Sequence, residues 1–461
     1  MRFPKKLLML IPVLASAINC FGGSGTFNDR RITLSLGVIS DVHVTGIENA
    51  TGMKFRSALQ QLKETAALQD GNGLDGVLVV GDLINDAYRD SMQYRQTKFF
   101  RELYESELDP ARVPLVYTVG NHDVFRQWDG NTVREAKHLS DSLGEVFFKA
   151  DAEPEMKDRY ECRHCIIGKC HVFCVTPTSH EVPATYDPEV LEWLDRRLKE
   201  VTAQDPDRYV LVLSHPMVYG TVYGSDLLCG KLAWYTEELR EVLARYPQAV
   251  SFGGHLHFPL NDPRSIWQGE FTAMGCASVC YMAIEDGGYE DMAGKTIMKD
   301  RFEFSQGLLL QFDDRGNMRV TRMDFHNKAG IGEPWILSHP SKGGKHLRKY
   351  SHSVRKAVNE APSLSSLTAA PDAEGMWTAT FAGGSDDEFV HHYILVLNRD
   401  GKEICRKKIL SDFYRHPQTS GMKKTWSRAL GVLPEGEYSL TLTAYDSWGA
   451  ESNPINIKFK Q

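Results

Sequence analysis

The stretch Gly76-Val77-Leu78-Val79-Val80-Gly81-Asp82 decides how this chain is read. Small or apolar residues on five successive positions, with no polar alternation, mark a strand covered on both faces, and such strands belong to layered α/β folds. The run stops abruptly at Gly81-Asp82, and the same event recurs on either side. Leu34 to Ile39 ends in Ser40-Asp41, and Pro114 to Val119 runs into Gly120-Asn121-His122-Asp123. Tyr209 to Leu213 stops at Ser214-His215-Pro216, and Ala249 to Phe252 at Gly253-Gly254-His255-Leu256-His257. Helical spacing fills the gaps. Phe55 to Leu68 carries Leu59, Leu62 and Ala66 on one face, and Met92 to Leu108 reads as a more polar helix. Asp187-Pro188 caps and opens a helix whose buried face is Val190, Leu191, Leu194, Leu198 and Val201, and Thr236 caps another through Leu239, Val242 and Leu243. Alternating strands and helices of this kind predict an α/β layered domain.

Further along, Gly307 to Phe312 and Met318 to Met323 predict a hairpin that closes this domain on an antiparallel edge. Ser341 to Lys356 is rich in Gly, Lys, Arg and His without apolar periodicity and reads as a linker or surface excursion, its charges solvated. From Ala361 the chain turns to short alternating strands: Trp377 to Phe381, Tyr393 to Leu397, Lys402 to Lys407 after the turn Arg399-Asp400-Gly401, and Tyr438 to Ala444. The division expected is residues 1–25 as signal peptide and mature tail, 26–340 as the α/β domain, 341–360 as linker and 361–461 as a small all-β, immunoglobulin-like sandwich.

With 461 residues, 42% hydrophobic and 25% charged, the composition excludes disordered, collagen-like and disulfide-scaffold classes. Lys plus Arg number 53 against 60 Asp plus Glu, a net charge of −7, so nothing recommends nucleic acid as a partner and a phosphate ligand would need local help. The first segment stands apart. Arg2, Lys5 and Lys6, the apolar run Leu7 to Leu14 and then Ala15-Ser16-Ala17 follow the order of a secretory signal. Cys20 just beyond is the position where a lipoprotein signal would place its lipid, although Asn19 before it fits poorly. The expected location is therefore periplasmic or cell-surface, with the membrane reached only through an anchor on Cys20. Export implies an oxidising compartment, so Cys162, Cys165, Cys170 and Cys174 are expected to form a hairpin with one or two disulfides in preference to a zinc site.

The chemistry-bearing residues share one placement. Asp41, His43, Asp82, Asn121, His122, His215, His255 and His257 all follow directly on strands, and in an open α/β sheet the residues beyond the carboxyl ends converge on one crevice. Asp-x-His and His-x-His place each pair on one side of an extended segment. Carboxylate, amide oxygen and imidazole without thiolate suit Mn, Fe or Zn over the all-oxygen cages of Ca or Mg. Seven donors exceed one ion's need and serve two if a carboxylate bridges, Asp82 being the natural bridge.

Asp41-Val42-His43, Gly81-Asp82, Gly120-Asn121-His122-Asp123, His215 and Gly254-His255-Leu256-His257 together resemble the signature of calcineurin-like metallophosphoesterases, over about Ile32 to His339. The resemblance implies a layered α/β/β/α sandwich and two transition-metal ions. One ion would take Asp41, His43, Asp82 and His257, the other Asp82, Asn121, His215 and His255. It implies hydrolysis of phosphomonoesters or phosphodiesters by a bound water attacking phosphorus as hydroxide, with His122 serving the transition state or the leaving oxygen. The protein phosphatases of the family carry an Asp three positions after the bridging Asp, followed by Arg-Gly, where this chain has Asn85-Asp86-Ala87. A protein phosphatase is thus disfavoured, and Asp86 or Asp123 is the expected support for His122. Arg126 and Tyr219 follow metal blocks closely and are candidate substrate contacts. Leu433-Pro434-Glu435-Gly436-Glu437-Tyr438, with Ala444-Tyr445-Asp446 and Gly449, resembles the late strands of fibronectin type III modules, Tyr438 being the corner tyrosine. Such a module implies a spacer, or docking to a glycan or protein. The competing reading is a surface binding or adhesion protein with a vestigial metallophosphoesterase domain, and the intact donor set argues against it.

Overall fold

A computed structural model of the chain describes residues 27–70, 73–124, 132–144, 156, 159, 162–177, 185–226, 237–338 and 349–461. The expected signal and Cys20, together with Arg126 and the cap at Thr236, lie outside the described residues. No helix among those described is long and apolar enough to cross a membrane.

In the first unit the strands are β1 (Ile32–Ile39), β2 (Gly76–Val80), β3 (Leu115–Thr118), β4 (Arg163–Ile167), β5 (Cys170–Cys174), β6 (Val210–Leu213), β7 (Ala249–Gly253), β8 (Ile266–Gln268), β9 (Thr272–Gly275), β10 (Gln306–Asp313), β11 (Met318–Asp324), β12 (Ala329–Gly330) and β13 (Trp335–Leu337). They form two sheets. One runs β12-β11-β10-β1-β2-β3, with β13 also on β11, and the other runs β4-β5-β6-β7-β9-β8. β1, β2 and β3 are parallel, as are β5, β6, β7 and β9, while β10 and β11 add the antiparallel edge beyond β1. All five residues of β2 are buried, as its unbroken apolar run requires. Both sheets contribute to one hydrophobic core, and their edges meet where the Thr118 and Thr176 hydroxyls hydrogen-bond at 2.8 Å.

Helices α1 (Ala50–Asp70), α2 (Asp90–Glu107), α3 (Asn121–Val124), α4 (Thr132–Leu143), α5 (Pro188–Gln204) and α6 (Glu237–Leu243) fall between the strands. α1 buries Phe55, Leu59, Leu62 and Ala66, one stripe at helical spacing, and Leu62 lies so close to Gly37 of β1 that a Cβ there would meet it at 2.9 Å. α5 begins as its sequence dictates: Asp187 accepts from the Glu189 N–H, and Pro188 takes the first turn, where no donor is needed.

The cysteine hairpin exists, but the expected disulfides do not. Cys162, Cys165, Cys170 and Cys174 are buried and form no disulfide. β4 and β5 pair with Cys165 opposite Val172 and Cys174 opposite Arg163, so no two cysteines face each other across the ladder. Apolar burial raises the Cys170 thiol to about 12 and Cys174 well above its ordinary value, the mark of an inert core thiol.

The segment read as a linker is docked in its described part. Tyr350 is buried, its N–H donating to Gln268, and a short helix, α7 (His352–Val358), follows. His352 bonds the Ile266 carbonyl, and Arg355 reaches both the Pro263 carbonyl and Glu388. The run lacks apolar periodicity because side-chain-to-backbone bonds hold it, not a hydrophobic stripe.

Beyond it come β14 (Leu367–Pro371), β15 (Met376–Ala382), β16 (Val390–Arg399), β17 (Lys402–Leu410), β18 (Thr425–Val432), β19 (Glu437–Asp446) and β20 (Ile455–Lys460). They form an antiparallel three-stranded sheet, β14-β15-β18, and a four-stranded one, β17-β16-β19-β20, enclosing Trp377, Phe381, Tyr393, Leu395, Trp426, Tyr438 and Leu440. Asp400 and Gly401 both have positive φ, 50° and 79°, as a two-residue hairpin turn demands. Tyr438 donates to the Pro434 carbonyl at 2.6 Å, the corner bond expected of it. The sandwich is joined broadly to the first unit. Phe389 and Phe413 stack at 4.4 Å and complete the first core, Asn261 bonds the His416 carbonyl, and Lys407 pairs with Glu290.

Candidate active site

The carboxyl ends of β1, β2 and β3 and of β6 and β7 meet in one place because the two sheets touch there through backbone. The Val279 and Cys280 N–H groups, just beyond β9, donate to the Ser40 and Asp41 carbonyls at 3.0 and 3.1 Å, and the His255 N–H donates to the Asp41 carboxylate at 3.0 Å. Glycine permits this approach. A Cβ on Gly254 would stand 1.9 Å from Ser40 Oγ and 2.6 Å from Asp41 Oδ2, and one on Gly120 would stand 2.2 Å from Asp82 Oδ1.

The backbone at the site departs from the extended form read for Asp-x-His and His-x-His. Asp41, His43, Asp82, His255 and His257 all have φ between 49° and 67°, the left-handed region that non-glycine residues avoid. Each costs on the order of 1–3 kcal/mol and persists because surrounding bonds fix it. The Val42 and His43 N–H groups both donate to the Asp82 carbonyl, and the Cys280 N–H to that of Asp41. The strands therefore end in tight turns that aim ligand-type side chains inward.

Three groups of donors result. Asp41, His43 and His257 have donor atoms mutually within 4.8 Å, as do Asp82, His215 and His255, and so do His43, Asp82 and His122. In the first, His257 Nε2 is 2.9 Å from Asp41 Oδ1, and His43 Nε2 is 3.9 Å from the same oxygen and 3.8 Å from Asp82 Oδ2. In the second, His215 Nε2 lies 3.2 Å from Asp82 Oδ2, and Asn121 Oδ1 is 3.2 Å from His215 Nε2 and 3.0 Å from His255 Nδ1. Asp82 thus faces both of these groups. Asp41, His43, Asp82, His215 and His257 are buried, and Asn121, His122 and His255 are partly exposed.

The set fits transition-metal ions. Donor spacings of 2.9–3.9 Å bracket the ~3.4 Å edge of a tetrahedron built on ~2.1 Å bonds, and nitrogen and oxygen are mixed without sulfur. Backbone carbonyls fix the rings: His215 Nδ1 donates to Val80 at 2.8 Å and His257 Nδ1 to Tyr281 at 3.0 Å, which turns Nε2 of each toward the carboxylates. Burial would lift the Asp41 and Asp82 carboxyls, but His257 and His215 respectively outweigh it and hold both acids ionised. Burial would likewise deprotonate His215, yet the Asp82 charge wins and holds it at about 10. His43 and His255 go the other way, to about 3, mainly by burial.

His122 stands edge-on to His43, ring centroids 4.6 Å apart, and its N–H donates to Asp82 Oδ1 at 2.8 Å. Its Nδ1 bonds the Asn85 carbonyl at 2.8 Å, so the backbone orients the ring where Asp86 or Asp123 was expected to do so. Asp123 is buried behind Asp82, accepting from the Gly120 and Ile84 N–H groups. Burial and then the Asp82 charge raise it to about 7. The Asp86 N–H is bonded to Gln96, and its side chain borders a recess beside His122. Tyr219 is half-buried in a turn whose carbonyl accepts from Arg240, and Arg126 lies outside the described residues. Sequence reading missed Tyr281 and Ser278. The Tyr281 ring lies 4.0 Å from that of His257, and Ser278 Oγ ties the Asp41 carbonyl to the Cys280 N–H. β9 is four residues long and ends in no ligand-type residue, so nothing in the sequence marked it as part of the site.

Comparison with known proteins gives one sequence-level match: residues 34–259 fit the family model described as Calcineurin-like phosphoesterase. No curated protein matches the sequence. Among solved structures, purple acid phosphatase PPD1 from yellow lupin (Lupinus luteus) seeds is similar at 13% identity, covering 68% of this chain and 55% of its own, with a TM-score of 0.42. A putative 5'-nucleotidase from Staphylococcus aureus, in complex with alpha-ketoglutarate, is similar at 10% identity over 86% and 82% of the two chains, TM-score 0.37. Domains d3–d4 of the rat CD45 extracellular region align at 10% identity over 22% and 51%, TM-score 0.17. This chain spans about half the length of the lupin protein.

Proposed function

We infer, from the phosphoesterase family match over residues 34–259 and the donor cluster at its strand ends, that this protein is a metal-dependent phosphoric ester hydrolase with a two-ion centre. The observation that carries the reading is the convergence of seven oxygen and nitrogen donors from five strand ends around Asp82, whose carboxylate is 3.8 Å from His43 Nε2 and 3.2 Å from His215 Nε2. Asp41, His43, Asp82 and His257 would hold one ion and Asp82, Asn121, His215 and His255 the other. When bound, the ions supply Lewis acidity that neutralises phosphoryl oxygens and acidifies a water, which answers the net charge of −7.

The chain's own residues do the rest. The Val80 and Tyr281 carbonyls keep His215 and His257 in one tautomer. The bond from His122 Nδ1 to Asn85 leaves Nε2 for the ester oxygen as the P–O bond breaks and the oxygen of water bonds to phosphorus. Asp123 fixes the Gly120 and Ile84 backbone on which Asn121 and Asn85 ride. Export, with lipid on Cys20, and kinship of the sandwich with fibronectin type III modules belong to the same proposal. The sandwich's broad contact with the first unit favours a structural role over a free spacer.

The test is turnover of an aryl phosphate by the purified chain with Mn added and then chelated, alongside metal analysis. Hydrolysis that appears with Mn and disappears on chelation supports the reading. A protein that binds two ions but cleaves no monoester or diester refutes it, and cleavage that survives chelation refutes the metal's role.

A further inference from the structure

Beside the donor cluster is a recess of about 160 Å³ lined by Asn85, Asp86, Ala87, Tyr88, Asn121 and His122. Two of these, Asn121 and His122, belong to the proposed machinery, so whatever leaves from phosphorus toward His122 leaves into this space. The recess is small and open on one side, which suits a compact group.

The recess is pre-formed. Gln96, buried on α2, accepts from both the Asn85 and the Asp86 N–H groups, at 3.0 and 3.1 Å, and the Asn85 carbonyl holds His122. The braced segment that carries Asp86 therefore also orients His122, through the Asn85 carbonyl.

Its chemistry is one-sided. Asp86 Oδ1 is buried with no hydrogen-bond partner, and among the described residues that line the recess there is neither Lys nor Arg. Tyr88, 60% exposed, presents an aromatic ring in the same wall. A carboxylate next to the seat of a phosphate anion opposes substrate binding unless the substrate brings a cation to it. An aromatic face beside a carboxylate is how proteins receive ammonium groups.

We propose that this recess selects phosphoesters of a small ammonium-bearing alcohol, with Asp86 and Tyr88 receiving the cationic end while His122 faces the ester oxygen. The inference rests on the hydrolase reading above and adds the substrate class to it.

The test compares phosphocholine with 3,3-dimethylbutyl phosphate, in which a tert-butyl group replaces trimethylammonium at the same size without charge. The metal-loaded full chain should show kcat/KM at least about tenfold higher for phosphocholine, the scale of one cation–aromatic contact plus one charge pair. In Asp86→Asn that ratio should fall to within about threefold of unity, with Tyr88→Leu between the two. Free choline should inhibit aryl phosphate hydrolysis by the native chain, a readout that survives even if Asp86→Asn does not fold. A native ratio near unity, an unchanged ratio in folded Asp86→Asn, or aryl phosphate turnover with neither alkyl ester cleaved would each overturn the proposal. Absence of aryl phosphate turnover with any metal would instead sink the hydrolase reading, and this inference with it.

Discussion

Asp82→Asn removes one charge and almost no volume from the middle of the site, which makes it the sharpest probe of a shared centre. The carboxylate lies 3.2 Å from His215 Nε2 and 3.8 Å from His43 Nε2, one ring from each donor group. At a separation of 3.2 Å and an effective dielectric of ~20, one unit-charge pair is worth about 5 kcal/mol. An amide keeps a dipole and recovers part of that, so the net loss expected for cation binding is about 3–4 kcal/mol, or roughly two to three orders of magnitude in affinity. The amide also cannot serve all partners. Oδ1 accepts the His122 N–H at 2.8 Å, and an Asn that keeps this bond must turn its NH2 toward the cations. The assay is metal content by mass spectrometry after gel filtration, with aryl phosphate turnover at saturating Mn. The variant should retain at most one ion per chain and lose about a thousandfold in turnover, with its melting profile showing a folded chain. Two tightly held ions together with native turnover would refute the bridging role and, with it, the shared-centre geometry.

Replacing His122 by Ala should separate chemistry from metal binding: turnover falls about 10²–10⁴-fold while two ions remain, and parallel loss of metal would count against its assignment to the leaving oxygen. Gly120→Ala drives a methyl group to 2.2 Å from Asp82 Oδ1. It should cost about 1–3 kcal/mol by overpacking and weaken metal binding, measured by thermal melting and metal titration, whereas a neutral effect would mean that the strand ends are not held so tightly. Tyr438→Phe deletes the 2.6 Å bond to the Pro434 carbonyl and should destabilise the sandwich by about 1–3 kcal/mol with phosphoesterase turnover intact, read from chemical denaturation against activity. Thiol labelling followed by peptide mapping should modify Cys405 well before Cys165, Cys170 and Cys174, and early labelling of the latter group would contradict their burial.

The interface between the two units bears on how the site keeps its shape. Tyr281, whose carbonyl orients His257, opens a segment that the sandwich grips further on: the Glu290 N–H bonds the Lys408 carbonyl, and Asp300 meets Tyr414 and Arg415. Phe389 and Phe413 come from the sandwich yet belong to the first core. Each buried aromatic there contributes roughly 1.5–3 kcal/mol, so the two units stabilise one another.

Periodicity carried the fold a long way. β2, an unbroken apolar run, and α5, with Asp187 and Pro188 at its start, are local events that neighbouring residues dictate. β14, β18 and β20, all at sheet edges, escaped notice, although β20 alternates apolar and polar residues strictly from Ile455 to Lys460. Compartment and count pointed to disulfides, whereas in the hairpin Cys165 and Cys174 adjoin as thiols.

The amino-acid sequence by itself determined which residues end each strand, and hence that Asp, Asn and His would stand at the carboxyl ends of parallel strands. That follows from side-chain chemistry and from the rule that parallel strands point their carboxyl ends the same way. Only the tertiary structure decided how they meet: five left-handed residues, backbone bonds from Val279 to Ser40 and from Cys280 to Asp41, and a carbonyl of Asn85 where a carboxylate was expected. Those features depend on contacts between residues tens or hundreds of positions apart, and a backbone dihedral or carbonyl direction set by such contacts leaves no trace in local composition.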